Sequence, residues 1–259
     1  MQDETWRLAL NKFLEPWLAR PEVVGALVTG SYVLGTNTPQ SDIDVHVFLA
    51  DKTSWKERGN VVIDGYLVEY FALPVSLYHK LFAMDHADNQ RTNARMIAVG
   101  ETIADKTGDV QTLKALSDEY MRKPFKQLSA AQIEDRKYWL WDSMDGLEDL
   151  LVSNAPNSDM VYHAHLSLVL NVYTVYLRQE IPHLSKAYKL FSSAEFRTRY
   201  HFNAYPDKTF AELFMAALSA PHEQRLDVAH KLTNRALDSM GGFKIDGWRL
   251  RSRGDSIDV

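Results

Sequence analysis

Two aspartates separated by a single residue, Asp42 and Asp44, are the first residues of this chain whose type and spacing suggest chemistry. They begin a stretch of alternating polar and apolar residues, which predicts a strand over 42–50 with one buried face. Side chains at positions i and i+2 of a strand point to the same side, about 6.7 Å apart. Their carboxylates can therefore converge on one divalent cation or bracket two, as the two-metal clamp of phosphoryl transfer requires. Mg²⁺ is the expected ion because it prefers carboxylate oxygens.

A glycine and a serine stand where the preceding predicted strand, 23–29, ends. Gly30 has no Cβ, so the backbone can approach a phosphate group closely at this position. Ser31 begins a short turn of helix over 31–35 and offers a hydroxyl and backbone N–H groups to an anion. The turn and the aspartates together predict a site that binds a phosphate and a metal ion.

A third acid, Glu69, belongs to a predicted β-hairpin. Asp64-Gly65 is a favoured two-residue turn, and it joins predicted strands over 61–63 and 66–73. Glu69 shares its strand face with Leu67 and Phe71, where an acid is costly unless it is paired or functional. If the hairpin pairs with the strand of Asp42, Glu69 lies about 5–10 Å from the aspartates. Glu69 then fits the same site as a third acid.

The elements that must position these residues predict an α+β fold with two domains. Helices over 5–18, 75–87, 91–99 and 110–121 and a strand over 101–105 complete a mixed-sheet domain, residues 1–124. After Pro124 the hydrophobic periodicity becomes helical. Predicted helices over 131–152, 159–180, 185–196, 208–218 and 223–240 form an all-α bundle domain, residues 125–259.

Composition excludes several classes of function. The 259 residues include no cysteine, so thiolate metal sites, disulfides and a cysteine nucleophile are excluded. The net charge of −5 offers no footprint for duplex nucleic acid. No apolar run reaches the roughly 18 residues of a membrane span, and the start lacks the pattern of a signal peptide, so a cytoplasmic protein without a membrane partner is expected. Arg253-Gly254-Asp255 matches an adhesion tripeptide, for which chance is the better explanation.

The pattern of Gly30-Ser31, a spacer, Asp42-Ile43-Asp44 and then Glu69 resembles the signature of the polymerase-β-like nucleotidyltransferase superfamily. Its spacing is similar to that of two-domain bacterial proteins related to aminoglycoside nucleotidyltransferases. Residues 96–108 also resemble the closing strand of that domain. The motif resemblance covers roughly residues 20–120, and the helical half shares only the layout. Tyr32 is a departure, because relatives often carry a small residue after the Gly-Ser pair.

The resemblance implies transfer of a nucleoside monophosphate, AMP from ATP, to a hydroxyl of a small molecule such as an aminoglycoside-type antibiotic. It implies two Mg²⁺ ions and ATP or another nucleoside triphosphate as co-substrate. The implied catalytic and metal-binding residues are Asp42, Asp44 and Glu69. The implied nucleotide contacts are Gly30, Ser31, Lys186 and Lys189.

Rival interpretations remain open at this point. A ribonuclease-toxin-like helical domain would use an arginine followed by a histidine, but such spacings also arise by chance. Two further rivals are an inactive nucleotide-binding or regulatory module and a toxin- or antitoxin-type enzyme that acts on protein or RNA. The sequence also leaves open the acceptor, the nucleotide preference and a homodimer. A stripe of acids on the helix over 131–152 is either a solvated face or a wall for a cationic acceptor: Asp135, Asp142, Asp145 and Asp149.

Overall fold

The structure, a computed structural model, describes residues 5–251, so the Arg253-Gly254-Asp255 tripeptide lies outside it. The chain divides into two compact units. The first unit runs to Pro124 and also includes the short segment Thr198–His201, and the second contains the remaining residues from Phe125 onward. A mixed sheet followed by helices confirms the predicted α+β fold class. The division into separately folding domains at residues 124 and 125 stays a prediction.

Five strands form one mixed sheet in the first unit: β1 (Val23–Thr29), β2 (Ile43–Leu49), β3 (Glu57–Ile63), β4 (Tyr66–Pro74) and β5 (Glu101–Asp105). Their order across the sheet is β3-β4-β2-β1-β5. The β2–β4 pair is parallel and the other neighbours are antiparallel. Asp64 and Gly65 join β3 to β4 with φ values of 51° and 84°, which confirms the predicted two-residue turn.

Helices cover both faces of this sheet: α1 (Thr5–Leu18), α2 (Gly30–Leu34), α3 (Val75–Ala87), α4 (Thr92–Val99) and α5 (Asp109–Arg122). The buried side of α1 repeats at helical spacing, with Leu10 and Phe13 among its members, and packs on one face. The opposite face is covered by α3, α4 and α5, whose buried residues include Tyr78, Ile97 and Leu113.

Strand β2 is buried on both faces, so the prediction of a single buried face was wrong. Val45 and Val47 belong to the core cluster of α1, whereas Phe48 packs with Tyr78 on the other side. Asp44 is the one member of β2 that is partly exposed. The cause is tertiary, because β2 lies between two other strands and has helices over both faces.

From Phe125 onward the chain is helical: α6 (Ala130–Val152), α7 (Ser158–Tyr176), α8 (Leu184–Ser192), α9 (Ala194–Arg199), α10 (Lys208–Leu218) and α11 (Arg225–Ser239), with a 3₁₀ turn at His222–Gln224. Their shared core includes Leu140, Leu147, Val169, Phe210 and Leu232. Among residues 5–251, no helix is both long and apolar enough to cross a membrane.

Two predicted helices end earlier than their hydrophobic pattern suggested. The helix predicted over 159–180 stops at Tyr176, and Arg178 then adopts the left-handed conformation at φ 55°, which is typical of a residue just beyond a helix end. The helix predicted over 185–196 is two helices. Ser193 is extended between them, and its Oγ accepts a hydrogen bond from the N–H of Phe196, which caps the second helix.

Candidate functional site

Two of the acids, Asp44 and Glu69, lie in one row across the sheet, and strand pairing sets that row. In the register of the sheet, Asp44 on β2 lies between Thr29 of β1 and Glu69 of β4. Glu69 in turn pairs with Asn60 of β3. Because β2 and β4 are directly hydrogen-bonded neighbours, no intervening strand separates Asp44 from Glu69.

Asp42 completes a group of three carboxylates. It directly precedes β2, and one carboxylate oxygen from each of Asp42, Asp44 and Glu69 lies within 4.8 Å of the other two. All three residues are partly buried. Negative charges at this separation repel one another, and a bound cation would offset that repulsion. Carboxylate oxygens are the ligands that Mg²⁺ prefers. The donor set therefore fits a magnesium site.

Gly30 forms the wall of this group on the side of β1. Its φ of +77° is a conformation that residues with a Cβ rarely adopt. A Cβ built on Gly30 would overlap the carboxylate oxygen Oδ2 of Asp44, and no neighbour other than Asp44 approaches it as closely. Glycine is thus favoured here by the backbone conformation, and a larger residue would have to displace the carboxylate of Asp44.

Ser31 lies in the short helix α2, next to Gly30, and is partly exposed. Its carbonyl accepts a hydrogen bond of 2.9 Å from the N–H of Thr36, which closes the loop behind the helix. The neighbouring Tyr32 is packed away in an aromatic cluster, with its ring centroid 5.4 Å from that of Trp6 and 6.1 Å from that of Tyr66. The departure from the family pattern at Tyr32 is therefore accommodated by packing against α1.

A distant segment of the chain holds the loop after α2. The guanidinium of Arg199 donates to the carbonyl oxygens of Leu34 and Gly35, at 2.6 and 3.1 Å. The hydroxyls of Tyr200 and Thr36 form a hydrogen bond of 2.8 Å. Both Arg199 and Tyr200 belong to the first unit despite their position in the chain. Sequence reasoning missed them, because 164 residues separate Tyr200 from Thr36 and no local pattern marks the pair.

Arg58 of β3 is a third residue that sequence reasoning missed. Its Nη2 and Nε donate to Oε1 of Glu69 at 2.6 and 3.2 Å, and its guanidinium carbon lies 4.9 Å from the ring centroid of Phe71. The strand was predicted to begin at Val61, which left Arg58 outside it. Counting back from the Asp64-Gly65 turn pairs Arg58 with Phe71, so the signal was present in the hairpin register.

His46 lies beneath the acids, two residues along β2 from Asp44. Its ring stacks on Phe71 and its Nδ1 forms a 2.8 Å hydrogen bond with the hydroxyl of Tyr78. Burial lowers the pKa of His46 to about 4, so the imidazole is neutral at neutral pH. Its Nε2 has no hydrogen-bond partner among the described residues. His46 therefore supports the site as a neutral, packed ring.

Lys186 and Lys189 lie in the second unit, both exposed on α8, and Gly30, Ser31 and the three acids lie in the first. The nucleotide-binding role of the two lysines stays a prediction.

A family model matches the part of the chain that contains the acids. Residues 9–105, which include Gly30 and the three acids, match the family model of the nucleotidyltransferase domain. A crystal structure of a nucleotidyltransferase-like protein from Exiguobacterium sibiricum has a TM-score of 0.46 and 13% sequence identity to this chain, over 90% of this chain and 75% of that one. No curated protein matches. The family match supports a nucleotidyltransferase domain in residues 9–105 and nucleotidyl transfer as its general activity.

Proposed function

We propose that this chain is a Mg²⁺-dependent nucleotidyltransferase that transfers AMP from ATP to a hydroxyl group of a small molecule. The observation that carries the proposal is the meeting of Asp42, Asp44 and Glu69 within 4.8 Å. Gly30 supports it, because its backbone closes against Asp44 where a larger residue has no room. The match to the nucleotidyltransferase domain supports the reaction class.

The first step assigned to the chain is to bind the triphosphate. Asp42 and Asp44 would hold Mg²⁺, and Glu69 either joins them or acts as the base. When bound, Mg²⁺ would neutralise charge on the phosphate oxygens and make the α-phosphorus easier to attack. Gly30 and Ser31 would meet the phosphates, Gly30 through close backbone approach and Ser31 through its hydroxyl.

The transfer itself forms one bond and breaks one. The acceptor oxygen attacks the α-phosphorus, the bond from that phosphorus to the bridging oxygen of the β-phosphate breaks, and pyrophosphate leaves. The acceptor hydroxyl must lose its proton, and Glu69, whose side chain is 17% exposed, is the candidate base because it lies beside the aspartates. A base must reach the hydroxyl within hydrogen-bond distance.

The second unit contains a pocket whose lining residues could bind a small organic cation. A cavity of about 230 Å³ between α6 and α11 has Trp141, Asp145, Glu148 and His230 among its lining residues. An aromatic face and carboxylates together attract organic cations. An acceptor that carries ammonium groups as well as hydroxyls, such as an aminoglycoside, would suit a lining of this kind. Lys186 or Lys189 would contact the triphosphate.

We expect the purified chain to release pyrophosphate from ATP when Mg²⁺ and an amine-bearing polyol are present. The measurement compares each nucleoside triphosphate against an aminoglycoside panel and against neutral sugars of similar size. Pyrophosphate release with neutral sugars only would contradict a cationic acceptor. Transfer of AMP to protein or to RNA instead would indicate a toxin-type activity. ATP binding without any release would indicate an inactive nucleotide-binding module.

Asp42→Asn/Asp44→Asn should abolish Mg²⁺-dependent ATP binding measured by calorimetry, because it removes two of three metal-binding charges. The same variant should be as stable as the wild type or more stable without metal, since repulsion within the group falls. Asp118→Asn/Glu119→Gln, which removes two charges from the exposed side of α5, is the matched control and should bind ATP normally. Equal ATP affinity in all three proteins would contradict the metal site.

Gly30→Ala should weaken Mg²⁺-dependent ATP binding and lower the free energy of unfolding by about 1–2 kcal/mol, the cost of a left-handed residue with a Cβ. Gly108→Ala is a close control, because Gly108 has a φ of +85° but none of residues 5–251 comes within 4 Å of an added Cβ. Gly108→Ala should lose about that much stability in urea unfolding, Gly30→Ala should lose at least as much because the overlap with Asp44 adds to the strain, and only Gly30→Ala should lose ATP affinity. Normal ATP binding by Gly30→Ala would contradict a role of Gly30 in nucleotide binding.

Glu69→Gln should lower turnover by about 100-fold or more, because an amide neither accepts the proton nor carries the charge. ATP affinity of the same variant separates the two roles. Affinity that is retained assigns Glu69 as the base, and affinity that is lost assigns it to the metal. Glu57→Gln on the neighbouring strand controls for the loss of a nearby carboxylate. Full turnover in Glu69→Gln would show that this acid takes no part.

A further inference from the structure

Arg58 and a metal ion would compete for the same carboxylate. Glu69 is one of the three acids whose oxygens lie within 4.8 Å of one another, and its Oε1 accepts both hydrogen bonds from Arg58. A guanidinium and a divalent cation repel each other, so each weakens the binding of the other to Glu69. Without metal, Arg58 supplies a positive charge that offsets part of the repulsion among the acids.

The position of Arg58 allows it to dissociate from Glu69. Strand β3 is the edge of the sheet, and the side chain of Arg58 is 69% exposed, whereas that of Glu69 is 17% exposed. When the ion pair with Glu69 breaks, the guanidinium of Arg58 is therefore solvated by water and is not left unpaired in the core. An ion pair with one exposed partner is weak, so a divalent cation can displace it.

Phe71 keeps the released arginine near the site. Arg58 and Phe71 are direct cross-strand partners, and the guanidinium carbon lies 4.9 Å from the ring centroid. Glu69 itself lies two residues before Phe71 on β4, on the same face of the sheet. A guanidinium held over an aromatic ring keeps its N–H groups available, and their planar arrangement suits two oxygens of a phosphate.

We propose that Arg58 is a triphosphate-binding residue that occupies Glu69 until Mg²⁺ and the nucleotide arrive. On arrival the guanidinium passes from the Glu69 carboxylate to phosphate oxygens of the nucleotide, while it stays over Phe71. This inference rests on the proposed function, and it assigns a ligand contact to a residue outside the acidic group. It makes Arg58 an antagonist of the metal alone and a partner of the metal–nucleotide complex.

The test uses Arg58→Gln, which removes the charge and keeps a polar side chain. With Mn²⁺ alone as the probe, counted by the electron paramagnetic resonance signal of the free ion, the variant should bind about two to five times tighter, the factor that an exposed ion pair contributes. Its affinity for Mg²⁺–ATP, measured by calorimetry, should fall about tenfold or more, because a charge-assisted phosphate contact is lost. Arg58→Lys should recover part of the ATP affinity.

Arg20→Gln is the matched control, since Arg20 is also exposed over an aromatic ring, with its guanidinium carbon 4.0 Å from the Trp17 centroid. It should change neither affinity. The inference is overturned if Arg58→Gln binds Mn²⁺ no tighter than the wild type, or if it binds Mg²⁺–ATP equally well. A wild type that shows no Mg²⁺-dependent ATP binding would instead refute the proposed function, so the two failures are distinguishable.

Discussion

Mutual repulsion of three carboxylates is the constraint on which the rest of the first unit depends. Two unit charges about 4 Å apart repel by about 1 kcal/mol in water and by about 4 kcal/mol near a protein surface. Asp42, Asp44 and Glu69 are held within 4.8 Å, so the fold must supply the energy that keeps them together. It does so by placing two of them on β2 and β4, where backbone hydrogen bonds and core packing fix the spacing. A bound cation would lower the electrostatic repulsion among the three carboxylates, and this gain would favour its binding.

The residues next to the acids in the sheet add little positive charge to the group of carboxylates. One row near the acids contains Leu27, His46, Phe71 and Arg58, one residue from each of four strands. His46 is buried and, with its pKa lowered to about 4, brings no positive charge under the acids at neutral pH. The positive charge of this row belongs to Arg58, at the exposed edge.

Much of the acid row could be predicted from the sequence, because its determinants are local. The alternation after Asp42 and the two-residue turn at Asp64-Gly65 fixed both strands and their turn, and the placement of Glu69 beside the aspartates followed from pairing them. The burial of both faces of β2 could not be predicted, since it depends on helices that come later in the chain. Arg58 was missed because residues 57–60 contain no β-branched residue, and an edge strand tolerates polar residues that a central strand would not.

The loop of Gly30 and Ser31 depends on the fold in a different way from the acids. Between α2 and β2 the chain runs through residues 35–42 without a buried residue, so its own packing offsets little of the entropy lost on ordering. The order comes from the segment Thr198–His201: Arg199 satisfies the carbonyls at the end of α2, and Arg95 of α4 donates to the carbonyls of Tyr200 and His201. Two arginines thus tie the loop to the segment and the segment to the sheet domain. Residues up to Pro124 contain every acid of the site, but the hydrogen bonds that hold the loop of Gly30 and Ser31 come from more than 70 residues further along the chain.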